Sequence, residues 1–73
     1  MNYIEWAEEY DLNAFRVKSV IDRKKQRLNE QKLSADLRKQ LIDEIAAYRR
    51  IYRELVLISD KLRDRAGVGA SEA

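Results

Sequence analysis

The sequence predicts an all-α protein, an antiparallel two-helix hairpin that is coiled-coil-like and dimerises into a four-helix bundle. Three observations predict it. No proline occurs among the 73 residues, and both glycines fall late, at Gly67 and Gly69, so nothing before them interrupts a helix. Apolar residues recur in two long runs at alternating intervals of four and three, the seam spacing of helices packed at a shallow angle. Asn29 to Leu33 ends the first run, and Ser34 precedes the second.

The first helix is expected over about residues 3–31. Asn2 followed by Glu5 resembles a capping box, and Glu5, Glu8, Glu9 and Asp11 place negative charge where a helix N-terminus favours it. Tyr3, Ala7, Tyr10, Ala14, Val17, Ile21, Lys24 and Leu28 form its seam, which only Lys24 breaks. That lysine is expected to reach past its neighbours to water. An alternative is a three-helix arrangement with a break near 11–13, because Asp11-Leu12-Asn13 has the chemistry of a helix cap.

A turn over about residues 31–34 follows, and the Ser34 hydroxyl is placed to accept from the free N–H groups of a second helix over about 35–66. The second seam reads Leu41, Ile45, Tyr48, Tyr52, Leu55, Ser59, Leu62 and Ala66. Lys61, Arg63 and Arg65 suit the negative end of the helix dipole, and Gly67 suits a left-handed cap. Residues 1–66 form the single hairpin domain, and residues 67–73 are expected to be a disordered tail.

So short a turn makes the helices antiparallel. At matching levels Ala7 then faces Ser59, Ala14 faces Tyr52 and Val17 faces Tyr48, so small residues alternate with large ones across the seam. The acidic stretch Glu5 to Asp11 lies beside Arg53, Lys61 and Arg63, and Arg23 to Arg27 lies beside Asp36, Asp43 and Glu44. Each helix should span roughly 45 Å.

Composition narrows the chemistry. The chain has neither Cys nor His, which removes disulfides, thiol nucleophiles, thiolate zinc sites and imidazole bases or ligands. Ser19, Ser34, Ser59 and Ser71 therefore have no histidine to activate them. The carboxylate pairs Glu5 with Glu9 and Asp60 with Asp64 have helical spacing, but cations lie nearby and a solvated charged face accounts for both. No catalytic residue, metal or cofactor is expected, and the protein is read as a non-enzyme with no small-molecule substrate. The chain opens on Met1-Asn2-Tyr3-Ile4-Glu5 instead of a basic segment followed by a long apolar one, and its longest apolar run is only Leu55-Val56-Leu57-Ile58. A cytoplasmic protein without membrane association is expected.

Function is sought instead in association. Ordering a chain costs roughly 1.5 kcal/mol per residue, on the order of 110 kcal/mol at this length, which one small core barely offsets. Without disulfides or a metal, oligomerisation is the remaining device. Trp6, Leu12, Phe15, Val20, Ile42, Ile51, Val56 and Ile58 lie outside the two seams and widen the apolar stripes beyond what one partner helix covers. They are the expected surface for self-association or for an unidentified protein partner, in a small adaptor or regulator. The alternative is nucleic acid. Residues 12 to 33 carry seven Lys and Arg against two acids, and Arg16, Arg23, Arg27, Arg49, Arg50 and Arg53 are the expected contacts of a basic girdle. The net charge of the whole chain is only +2, which favours the protein-binding reading.

Overall fold

Two helices account for the fold: α1, Tyr3–Glu30, and α2, Ala35–Arg65. The computed structural model describes residues 2–30 and 32–67. Among the described residues there is no strand, and the helices pack as a hairpin. Both helices start where the sequence places them and end one residue earlier than expected. Gln31, in the expected turn, and residues 68–73, most of the expected tail, lie outside the described residues.

Each helix begins on a side-chain cap. The Ile4 amide donates to Asn2 Oδ1 over 2.8 Å, and the Leu37 amide donates to Ser34 Oγ over 3.2 Å. Each hydroxyl or amide oxygen thus satisfies one of the N–H groups that the first turn leaves without a partner. At the far end, the Ala66 amide still donates to the Leu62 carbonyl, after which Gly67 takes φ 86° and its amide donates to the Asp64 carbonyl. That left-handed conformation is open to glycine at little cost, so Gly67 ends α2 in the way its position suggested.

The three-helix alternative does not hold. α1 runs unbroken through Asp11, Leu12 and Asn13, and the Asp11 carboxylate turns to α2 instead of capping its own chain. Cross-helix contacts fix the antiparallel arrangement. Lys24 meets Glu44 near the turn, 20 residues away in sequence, and Asp11 meets Arg63, 52 residues away, towards the open end. The result is a rod of 51 × 18 × 18 Å.

The seam is where the sequence puts it. Ala7, Ala14 and Ile21 of α1 are buried against Leu41, Ile45, Ser59 and Leu62 of α2, and Tyr10, Val17, Leu28, Tyr48, Tyr52 and Leu55 are half-buried along the same line. Two expected seam residues lie open: Ala66, just past the helix end, and Tyr3, which stacks on Trp6 with ring centroids 6.4 Å apart. Lys24 also departs from expectation. Its ammonium stops at Glu44 Oε1, 2.9 Å away, and lies 5.6 Å from the centre of the Tyr48 ring, because an acid and an aromatic face stand opposite its half-buried stem. Among the described residues, no helix is long and apolar enough to cross a membrane.

Candidate functional site

With one seam between two rods, what the molecule can do depends on its flanks. Ile4, Asp11, Lys18 and Lys25 follow at intervals of seven and share one flank of α1, and Ile42, Arg49, Val56 and Arg63 share one flank of α2. The Asp11–Arg63 pair joins the two rows at one end. A groove lined by Lys25, Leu28, Asn29, Ile42, Ile45, Ala46 and Arg49 joins them nearer the turn. The opposite flank carries Trp6, Asn13, Val20 and Arg27 from α1 and Glu44, Ile51, Ile58 and Arg65 from α2, again at sevens. Arg27 is close enough to Glu44 to help hold its carboxyl below the ordinary value.

The first flank is polar at its open end. Ser59, 1% exposed, donates to Asp11 Oδ1 over 2.6 Å, and the Arg63 guanidinium donates both to Ser59 Oγ and, over 2.5 Å, to Asp11 Oδ2. Ser59 is a buried hydroxyl in an otherwise apolar seam, so these two partners remove a desolvation cost of about 1–3 kcal/mol. Ser59 stands level with Ala7 in the expected register, yet bonds to Asp11, one turn on. A helical side chain leans towards its own N-terminus, and the Asp11 carboxylate therefore covers the turn that Ala7 occupies. The hydrogen bond from Arg63, then that from Ser59, hold the Asp11 carboxyl below its ordinary value against the opposing effect of burial. Glu44 is lowered in the same sense, chiefly by the hydrogen bond from Lys24.

Comparison with known proteins finds no matching family model, curated protein or solved structure.

The residues themselves must therefore carry the assignment. Of the eight expected partner-surface residues, Trp6, Val20, Ile51 and Ile58 come together on the flank opposite Asp11, and Trp6, Ile51 and Ile58 are 39%, 43% and 38% exposed. Val20 is half-buried there. The other four are parted from them. Ile42 and the half-buried Val56 belong to the Asp11 flank, Phe15 shares a row of sevens with Asn29 at that flank's outer margin, and Leu12 lies on the back of α1. The back of α2 carries Leu57, 58% exposed, which sequence reading passed over because it belongs to neither stripe.

The six expected basic contacts divide as well. Arg49, Arg50 and Arg53 line one groove with Ala46 and Tyr52. Arg16 and Arg23 are seven apart on the outer side of α1, and Arg27 stands by Glu44 on the opposite flank. Lys18 and Lys25 were missed. Counting sevens from Asp11 would have found both, since the two lysines extend its row towards the turn. Near the N-terminus, Glu5 and Glu9 line a shallow groove with Asn2 and Trp6. Among the described residues no three acids converge on a point.

Proposed function

We propose that the protein is a non-enzymatic helical interaction module of the cytoplasm, one that self-associates into a four-helix bundle and binds another protein. The observation that carries this reading is the surface left over. The chain exposes 5872 Å² at a mass of 8.6 kDa. A compact monomer of that mass exposes about 4,700 Å². The excess of about 1,200 Å² reflects a rod 51 Å long and 18 Å across whose helices share one seam, so that apolar side chains such as Trp6, Ile51 and Ile58 stay 38–43% exposed on its flank. The flank that carries Trp6, Val20, Ile51 and Ile58 is the one suited to a second copy. A twofold axis sets it against itself with Val20, Ile51 and Ile58 at the centre, Trp6 and Arg65 towards the open end and Arg27 and Glu44 towards the turn.

The other flank is ill suited to that role, since a twofold would bring the cations of one copy against those of the next. Light scattering after gel filtration tests the reading. The wild-type chain should elute at twice its mass, and Trp6→Glu with Ile58→Glu should elute at the single mass with its helix content kept. A monomeric wild type at all accessible concentrations would sink the self-association half of the proposal.

A further inference from the structure

The two grooves on the Asp11 flank are one feature. The first is lined by Lys25, Leu28, Asn29, Ile42, Ile45, Ala46 and Arg49, the second by Ala46, Arg49, Arg50, Tyr52 and Arg53, so they join through Ala46 and Arg49. From Ile42 to Arg53 the channel runs about 17 Å along α2, three turns of helix. Its middle is marked by Ala46, exposed and too short to block a neighbouring backbone. Its floor is apolar, with Ile42 half open to water. Its rim is cationic. Lys25, Arg49, Arg50 and Arg53 take part in neither of the ion pairs formed among the described residues, which join Lys24 to Glu44 and Arg63 to Asp11.

We infer that this channel docks an amphipathic helix of a partner protein, apolar along one stripe and acidic on either side of it. The inference names the partner class for the protein-binding role proposed above, and it does not depend on self-association. Charge complementarity favours an anionic occupant, because the four cations stand outside both ion pairs and outnumber the acids one helical turn from them, Asp22 and Glu54, so the rim repels a like-charged guest. The apolar floor decides which anion. A phosphate backbone offers nothing to cover Ile42 and the open part of Tyr52, whereas a helix with Leu or Ile at every third or fourth position covers them while its Glu residues meet the rim. A three-turn contact matches the length of the channel, and Ala46 lets the guest approach to the 8–10 Å between axes that packed helices adopt, the lower end being reached over small residues.

The test uses the full chain and a fluorescein-labelled synthetic helix of about fourteen residues, with Leu at i, i+3, i+7 and i+10 and Glu on both sides of that stripe. Anisotropy titrations at low and moderate salt compare it with a version carrying Lys for Glu, a version carrying Ser for Leu, and a short DNA duplex. The acidic Leu peptide should bind at least about tenfold more tightly than either altered peptide and than the duplex. Arg49→Glu with Arg53→Glu should weaken it by about tenfold or more, and Arg49→Gln with Arg53→Gln by less. Arg16→Glu with Arg23→Glu makes the same change in net charge away from the channel and should leave binding unchanged. Equal loss in that control, no preference among the peptides, or tighter binding of the duplex would each overturn the inference. Light scattering on the same samples separates the two proposals. A monomer that binds the peptide removes self-association alone, and a dimer that does not removes the channel alone.

Discussion

At the scale of single residues, the polar cluster of Asp11, Ser59 and Arg63 makes a pH prediction. The Asp11 carboxyl is lowered in the folded chain by the hydrogen bonds from Arg63 and Ser59, so the folded state binds its proton less readily than the unfolded state does. The stabilisation is therefore complete above the ordinary carboxylate range, roughly pH 4, and is lost as pH falls through and below it. Glu44, lowered by Lys24, acts in the same direction. The Asp11 side chain is 45% exposed, which keeps its worth at neutral pH within about 1 kcal/mol. Urea midpoints should fall between pH 7 and pH 3 for the wild type, and by less for Asp11→Asn; equal falls would show that the cluster is not a source of the acid sensitivity. The expected register already set the stretch from Glu5 to Asp11 beside Arg63, but the hydrogen bonds that gather Asp11, Ser59 and Arg63 into one cluster were not legible in the sequence. Asp11 stands before Leu12 and Asn13 in a context that reads as a local cap, and its true partners are 48 and 52 residues away, so only the register of the hairpin reveals them.

At the scale of the helices, the sequence was far more informative, because caps and seam spacing are local. Asn2, Ser34 and Gly67 each do what residues of their type favour, and among the described residues every buried one belongs to one of the two expected seams. Ser34→Ala should lower stability by about 1 kcal/mol, and Ser34→Gly by only a few tenths, since glycine still permits the cap backbone. An equal loss in both variants, measured by thermal unfolding, would mean that the hydroxyl is not the stabilising group. The seam makes a stronger demand. Ala7 and Ala14 are 0% and 5% exposed, and their small size is what lets Ser59 and Tyr52 lie across from them. Ala14→Trp should cost about 1–3 kcal/mol or more by overpacking, whereas Arg50→Ala, on an exposed outer face, should stay within about 0.5 kcal/mol. Lys24 shows where periodicity stops being a guide. Spacing placed it on the seam and the expected register set the stretch from Arg23 to Arg27 beside Glu44, but neither specifies that this lysine stops at that acid instead of reaching water.

At the scale of the molecule, the hairpin has two unlike flanks, one gathering Trp6, Val20, Ile51 and Ile58 and the other gathering Lys25, Arg49 and Arg53. The sequence showed that the apolar stripes were too wide but not how the excess was divided, since that follows from which row of sevens in α1 faces which in α2. If the apolar flank is the self-association surface, folding and dimerisation are linked, because two helices around a seam that buries six apolar residues among the described ones, two of them alanine, retain little stability alone. The midpoint of thermal unfolding should then depend on protein concentration. For a dimer, tenfold dilution removes about 1.4 kcal/mol per pair, or about 0.7 kcal/mol per chain, which for chains of this length lowers the midpoint by about 3–6 °C. Trp6→Glu with Ile58→Glu should unfold at a lower temperature that no longer responds to dilution, while Arg49→Glu with Arg53→Glu, on the other flank, should keep the wild-type slope. A wild-type midpoint that stays constant over a hundredfold range of concentration would make the hairpin stable by itself, and the apolar flank would then have to be covered by a different protein.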